Sequence, residues 1–135
     1  MARRRITQAD YEQLLTLRTG LRRFLHWSGE QAEAAGLTPA QHQLLLAIQG
    51  HPEPTPPTVG DLAESLLLRH HSVVGLLDRA AAAGLIQRTR DEADRRIVRI
   101  GLTAAGADRL ATLSAIHLEE IRRIAASFGR FATGD

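Results

Sequence analysis

The stretch TVGDLAESLLLRHHSVVGLLDRAAAAGLIQRTRDEADRRIVRIGLT, residues 58–103, decides the fold. Its first half reads as two helices. Thr58 suits an N-cap, because its hydroxyl can accept from a backbone N–H of the first turn, and Asp61 three residues on favours the positive end of that helix. Leu62, Ala63 and Leu66 form its inner face. A second helix is expected from His70 to Ala83, ended by Gly84, with Val73, Leu76, Leu77, Ala80 and Ala81 toward the core. That spacing leaves residue 71 or 72, Gly75 and Arg79 on the opposite face. The second half changes period: Leu85 to Arg90 and Ile97 to Leu102 alternate like strands, and the polar run Asp91-Glu92-Ala93-Asp94-Arg95-Arg96 between them reads as a turn.

Helix, short turn, helix and two-stranded hairpin is the plan of a winged helix-turn-helix, which implies contact with double-stranded DNA. The major groove is about 12 Å wide and admits one α-helix. The N-terminal turn of the second helix offers Arg69, His70, His71 and Ser72 to base edges, and its free backbone N–H groups to a phosphate. The plainer alternative for His70 and His71 is a solvated turn. From Arg69 to Arg99 there are seven arginines against four acids, Asp78, Asp91, Glu92 and Asp94, an excess of three positive charges that would attract phosphates. In the turn, Arg95 and Arg96 are expected to reach a minor groove, and Asp94 is placed to hold one of them by a charge-assisted hydrogen bond.

Long helices flank this unit. Residues 8–35 carry Tyr11, Leu14, Leu17, Leu21 and Leu25 as one apolar stripe, with Gly36 just past the end. Thr38, Pro39 and Gln41 open a helix by a capping box, and its run Leu44-Leu45-Leu46-Ala47-Ile48 predicts deep burial before Gly50. Four of the five prolines fall in 51–57, a stiff loop. Thr103 caps a last helix whose apolar positions are Leu110, Leu113, Ile116, Leu118, Ile121, Ile124 and Phe128. The expected fold is mainly α with a small β-hairpin wing: a single domain over 1–135, a winged helix-turn-helix unit at 38–103, and dimerisation helices at 8–36 and 104–131. The flanking stripes either pack on each other within one chain or meet a second copy. One winged core would leave Leu14, Leu21, Ile116 and Ile124 only partly covered, which favours a homodimer with recognition helices about 34 Å apart.

Composition narrows the function. The chain has 135 residues, 44% of them hydrophobic, and no apolar run near the ~20 residues a membrane span needs. Arg3, Arg4 and Arg5 precede no long apolar stretch, so a cytoplasmic protein without a membrane partner is expected. The absence of cysteine excludes a thiolate zinc site and a thiol-based sensor. All 17 basic residues are arginine. No nucleophile–base pair, Gly-rich phosphate loop or carboxylate cluster stands out, so neither an enzyme nor a cofactor is expected. None of the six histidines has the spacing of a metal motif. His26, His42 and His117 lie on three helices expected to converge, however, and a metal-sensing regulator is the alternative function. Phe24, Trp27 and His42 are the candidates for a small organic effector site at the same junction, set against plain core packing for Trp27.

Several motifs together carry a family resemblance: Leu62-Ala63-Glu64-Ser65-Leu66, Ser72-Val73-Val74, Leu77-Asp78-Arg79, Ala83-Gly84-Leu85-Ile86, Asp94-Arg95-Arg96, and Leu102-Thr103 followed by Gly106. With Leu37-Thr38-Pro39 at the start of the usual second helix, the chain resembles the multiple-antibiotic-resistance regulator (MarR) family along nearly its whole length. The resemblance implies a homodimeric transcription regulator, usually a repressor, that leaves a pseudopalindromic operator when a small ligand binds. Three positions depart from the pattern. Leu67 stands where such turns often have glycine, Val74 where a small polar residue is common, and Gly75 where a long polar side chain often points at DNA. Gly75 would let the backbone approach the duplex, and Val74 is placed to meet a thymine methyl.

Overall fold

The computed structural model describes residues 3–133, with side chains described through residue 125. The elements run α1 (Gln8–Ala34), α2 (Pro39–Gln49), α3 (Val59–Leu66), α4 (His70–Ala82), β1 (Ile86–Arg90), β2 (Val98–Leu102) and α5 (Ala104–Thr133). Local chemistry sets most boundaries. Thr7 with Asp10, Thr38 with Gln41 and Thr58 with Asp61 each close a reciprocal capping box, satisfying two otherwise orphaned N–H groups per helix. Gly36 and Gly84, at φ +81° and +74°, turn the chain out of α1 and α4. Leu67 does the same for α3 at φ 55°, ψ 41°, where a side chain is strained and glycine would be at ease.

The core lies where α2, α3, α4 and the hairpin meet. Leu44, Leu45, Leu62, Val73, Leu77, Leu85, Ile100 and Leu113 are its largest fully buried apolar members. β1 and β2 pair antiparallel, Ile86 opposite Leu102 and Arg90 opposite Val98. The proline loop braces this hairpin: Pro57 is buried and its carbonyl accepts from the Ile100 N–H at 2.9 Å. α5 begins against the start of the hairpin. The Thr103 hydroxyl donates to the Gly84 carbonyl at 2.6 Å and accepts from the Gly106 N–H at 3.1 Å. Gly106 is obligatory at this crossing, since a Cβ there would collide with the Leu85 carbonyl oxygen.

One expectation needs correction. Leu46 is 53% exposed, because it sits on the outer side of α2 while Leu44, Leu45 and Ile48 face inward. The stripe of α1 stays largely outside this chain's core, as expected of a single winged core: Tyr11, Leu14, Leu21 and Leu25 are all exposed, as are Ile116 and Leu118 on α5. The two helices do meet around Phe24, Trp27, Ser28 and His117. Phe128 lies outside the described side chains.

Candidate nucleic-acid interface

α4 is the one short helix of the winged unit without a side-chain cap. Its N-cap, Arg69, offers only its backbone carbonyl, which accepts from the N–H groups of Ser72 and Val73. α1, α2 and α3 close their first turns with threonine, whereas the first turn of α4 keeps donors free for an external acceptor. Around that turn Arg69, His70 and His71 are exposed, Ser72, Val74 and Gly75 are half-buried, and Arg79 is exposed one turn beyond Gly75. Val73, Leu77 and Ala80 anchor the opposite face in the core.

The wing turn is held by carboxylates. Asp91 accepts from the N–H groups of Ala93 and Asp94 through one oxygen and from the Arg99 guanidinium through the other, at 2.8 Å. Arg99 also donates to the Pro56 carbonyl at 2.9 Å, tying the turn to the proline loop. Asp94 takes a two-pronged bond from Arg96, at 3.0 and 2.9 Å, and a third from the Arg96 N–H. These partners hold both carboxyls below the usual carboxylate range: the Arg99 side chain first for Asp91, the Arg96 side chain first for Asp94. On the rest of the hairpin, Arg88 bonds Asp78 of α4 at 2.6 Å, and Arg90 donates to the Arg95 carbonyl.

The seven arginines of the segment therefore divide. Arg88, Arg90, Arg96 and Arg99 are occupied inside the protein. The guanidinium groups of Arg69, Arg79 and Arg95 make no hydrogen bond or ion pair among the described residues. Arg96 remains 90% exposed despite its pairing, so its outer face stays open. The holding roles of Asp91, Arg99 and Asp78 escaped the sequence reading, because each pair joins residues eight to ten positions apart across a turn whose register is a tertiary outcome.

Residues 35–97 match the model of the MarR family. This segment belongs to the MarR family. The transcriptional activatory protein BadR of Rhodopseudomonas palustris is 35% identical over 83 residues, 61% of this chain, and the chain spans 47% of BadR's length. The MarR-family fold also recurs in AbsC of Streptomyces coelicolor, 21% identical with a TM-score of 0.74, covering 90% of this chain and 81% of AbsC. MepR of S. aureus, solved as a complex with DNA, is 23% identical with a TM-score of 0.69, covering 91% of this chain and 85% of MepR.

Away from the winged unit, the structure separates the sequence candidates. Phe24 and Trp27 line a cleft of about 650 Å³ between α1 and α5, together with Leu15, Ile124, Arg23 and Arg123. His42 is absent from that lining. It is buried on α2 and packs instead on His117, ring centroids 4.8 Å apart. Burial, and then the neighbouring His117, lower its pKa. His117 is engaged at both ring nitrogens: Nδ1 lies 2.7 Å from the Leu113 carbonyl oxygen and Nε2 lies 2.7 Å from the Ser28 hydroxyl oxygen. His26 does not converge with these two. Trp27 and Ser28 face α5, which turns His26 outward, where its side chain is 81% exposed beside Glu30. Among the described residues no three His, Asp or Glu side chains stand together as a metal site, and no helix is long and apolar enough to cross a membrane.

Proposed function

We propose that this chain binds double-stranded DNA sequence-specifically as a homodimer, regulates transcription from a pseudopalindromic operator, and releases it when a small organic ligand binds. The observation that carries the reading is a division of labour in the MarR-family segment: Asp91 and Asp94 lock the wing turn, while the uncapped turn of α4 and the guanidiniums of Arg69, Arg79 and Arg95 stay free. In this reading Arg69, His70, His71, Ser72, Val74, Gly75 and Arg79 meet the major groove, and Arg95 and Arg96 meet the minor groove. The DNA complex of MepR, which shares the fold, supports it. The exposed leucines of α1 and isoleucines of α5 supply the surface a second copy would cover. The cleft holding Phe24 and Trp27 suits a small apolar effector with an anionic group facing Arg23, since Arg123 is already paired with Glu120 there.

Repression is the expected outcome where such an operator overlaps a promoter. Activation is the second reading, favoured by BadR's description as an activatory protein. The test is binding of the full chain to duplexes from the DNA flanking its own gene, at several salt concentrations. An inverted repeat should be bound roughly 10³-fold or more above random sequence, with log affinity falling linearly in log salt. Equal binding to every duplex would sink the proposal, and a reporter fused to the bound promoter separates repression from activation.

A further inference from the structure

Gly75 leaves the middle of the α4 outer face without a side chain, and the structure fills that place from one turn away. A Cβ built on Gly75 would lie 3.4 Å from Nη1 and 3.8 Å from Nη2 of Arg79. Long helical side chains lean toward the helix N-terminus, so an arginine four residues on lies back over the preceding turn. Among the described residues nothing competes for it. Asp78, its neighbour in sequence, is bonded to Arg88, and Arg79 has no hydrogen-bonded partner among the described residues. An alanine at 75 would just touch the guanidinium, and a longer side chain would take its place.

We infer that Arg79, folded across Gly75, is the major-groove base reader of this protein and selects guanine. The inference rests on the DNA-binding reading above. A guanidinium presents two parallel N–H donors that match O6 and N7 of guanine, a pairing no ammonium can reproduce. Gly75 is thus the vacancy that lets a residue from the last turn of α4 reach the centre of the helix face, and its departure from the family pattern relocates the reader by four residues.

The test is selection from a random duplex library by the full chain, alongside Arg79→Lys and Gly75→Gln. The wild type should enrich guanine at one position of each half-site, roughly 5- to 150-fold over other bases at that position. Arg79→Lys keeps the charge but loses the fork, so the preference there should fall below about twofold while other positions hold. Gly75→Gln should displace Arg79 and change the preferred base at the same position. Either variant keeping the wild-type guanine preference overturns the assignment. So does an affinity loss in Arg79→Lys that is equal for all sequences, which marks a phosphate contact. A wild type that selects no sequence overturns the DNA-binding reading itself and this assignment with it.

Discussion

The winged unit and the two long helices use the same kinds of apolar residue and treat them in opposite ways. Leu62, Leu77 and Ile100 of the winged unit are at most 1% exposed, whereas Leu14 and Leu21 of α1 are 54% and 46% exposed. The first region closes on itself, with α3, α4 and the hairpin each covering the others. The second presents an apolar stripe that only another surface can bury. At about 25 cal/mol per Å² such exposure is costly in water, which is why a regular stripe on a long surface helix marks an interface. Helical periodicity reports that one face is apolar, and is silent on whose core that face enters.

The comparison can be broken first at the joint between the regions. Gly106→Ala forces a Cβ into the Leu85 carbonyl, so α5 must shift off the hairpin. A loss of about 3 kcal/mol in urea unfolding is expected, a large part of a typical stability. An unchanged midpoint would mean that the crossing is looser than described. Next comes the stripe. Leu21→Glu alters a side chain already 46% exposed, so each chain should still fold. Sedimentation equilibrium should show dimerisation weakened by about 2 kcal/mol, or roughly 30-fold. A variant that dimerises like the wild type would assign the stripe to another partner.

Smaller effects sharpen the winged side. Leu67→Gly relieves a left-handed residue whose side chain is 91% exposed and should stabilise the fold by about 1 kcal/mol. A destabilised variant would show that Leu67 packs against something. Arg95→Ala removes an unoccupied guanidinium from the wing and should reduce the slope of log affinity against log salt by about 0.9, with affinity about fivefold lower at 0.15 M salt. Unchanged binding would exclude Arg95 from the interface. The smallest effect is a pH dependence at the helix junction. The folded pKa of His42 is lowered by burial, so the unfolded chain binds this proton more readily. Its contribution is fully present above about pH 6.5 and declines as pH falls from there toward the folded value. His42→Gln should flatten that part of the stability curve, and an identical curve would show that another group titrates there.

How far the sequence could be read depended on the reach of each interaction. Thr38 with Gln41, Thr58 with Asp61, and the turns at Gly36 and Gly84 act over three or four residues, so spacing alone located α2, α3 and the ends of α1 and α4. The hairpin was visible in the switch from a helical period to alternation, and the bond from Asp94 to Arg96 spans only two residues. Leu67 stood out only as a departure from the family resemblance, and the backbone angle shows that it carries the left-handed strain itself.

What only the tertiary structure decided involves contacts between distant residues or the choice of face. Gly106 was a motif letter until the Leu85 carbonyl was found against it. A net count of arginines could not say that Arg99 is spent on Asp91 and Pro56 while Arg95 is free. Three histidines on converging helices looked alike, yet a rotation of one residue sets His26 in solvent while the rings of His42 and His117 pack together at a tilt. The sequence by itself determined the elements, their order and their ends, because capping, turn and period signals are local. Which arginines remain available and which apolar face is left uncovered depended on the packing of residues far apart in the chain, since only the assembled fold brings their partners within reach.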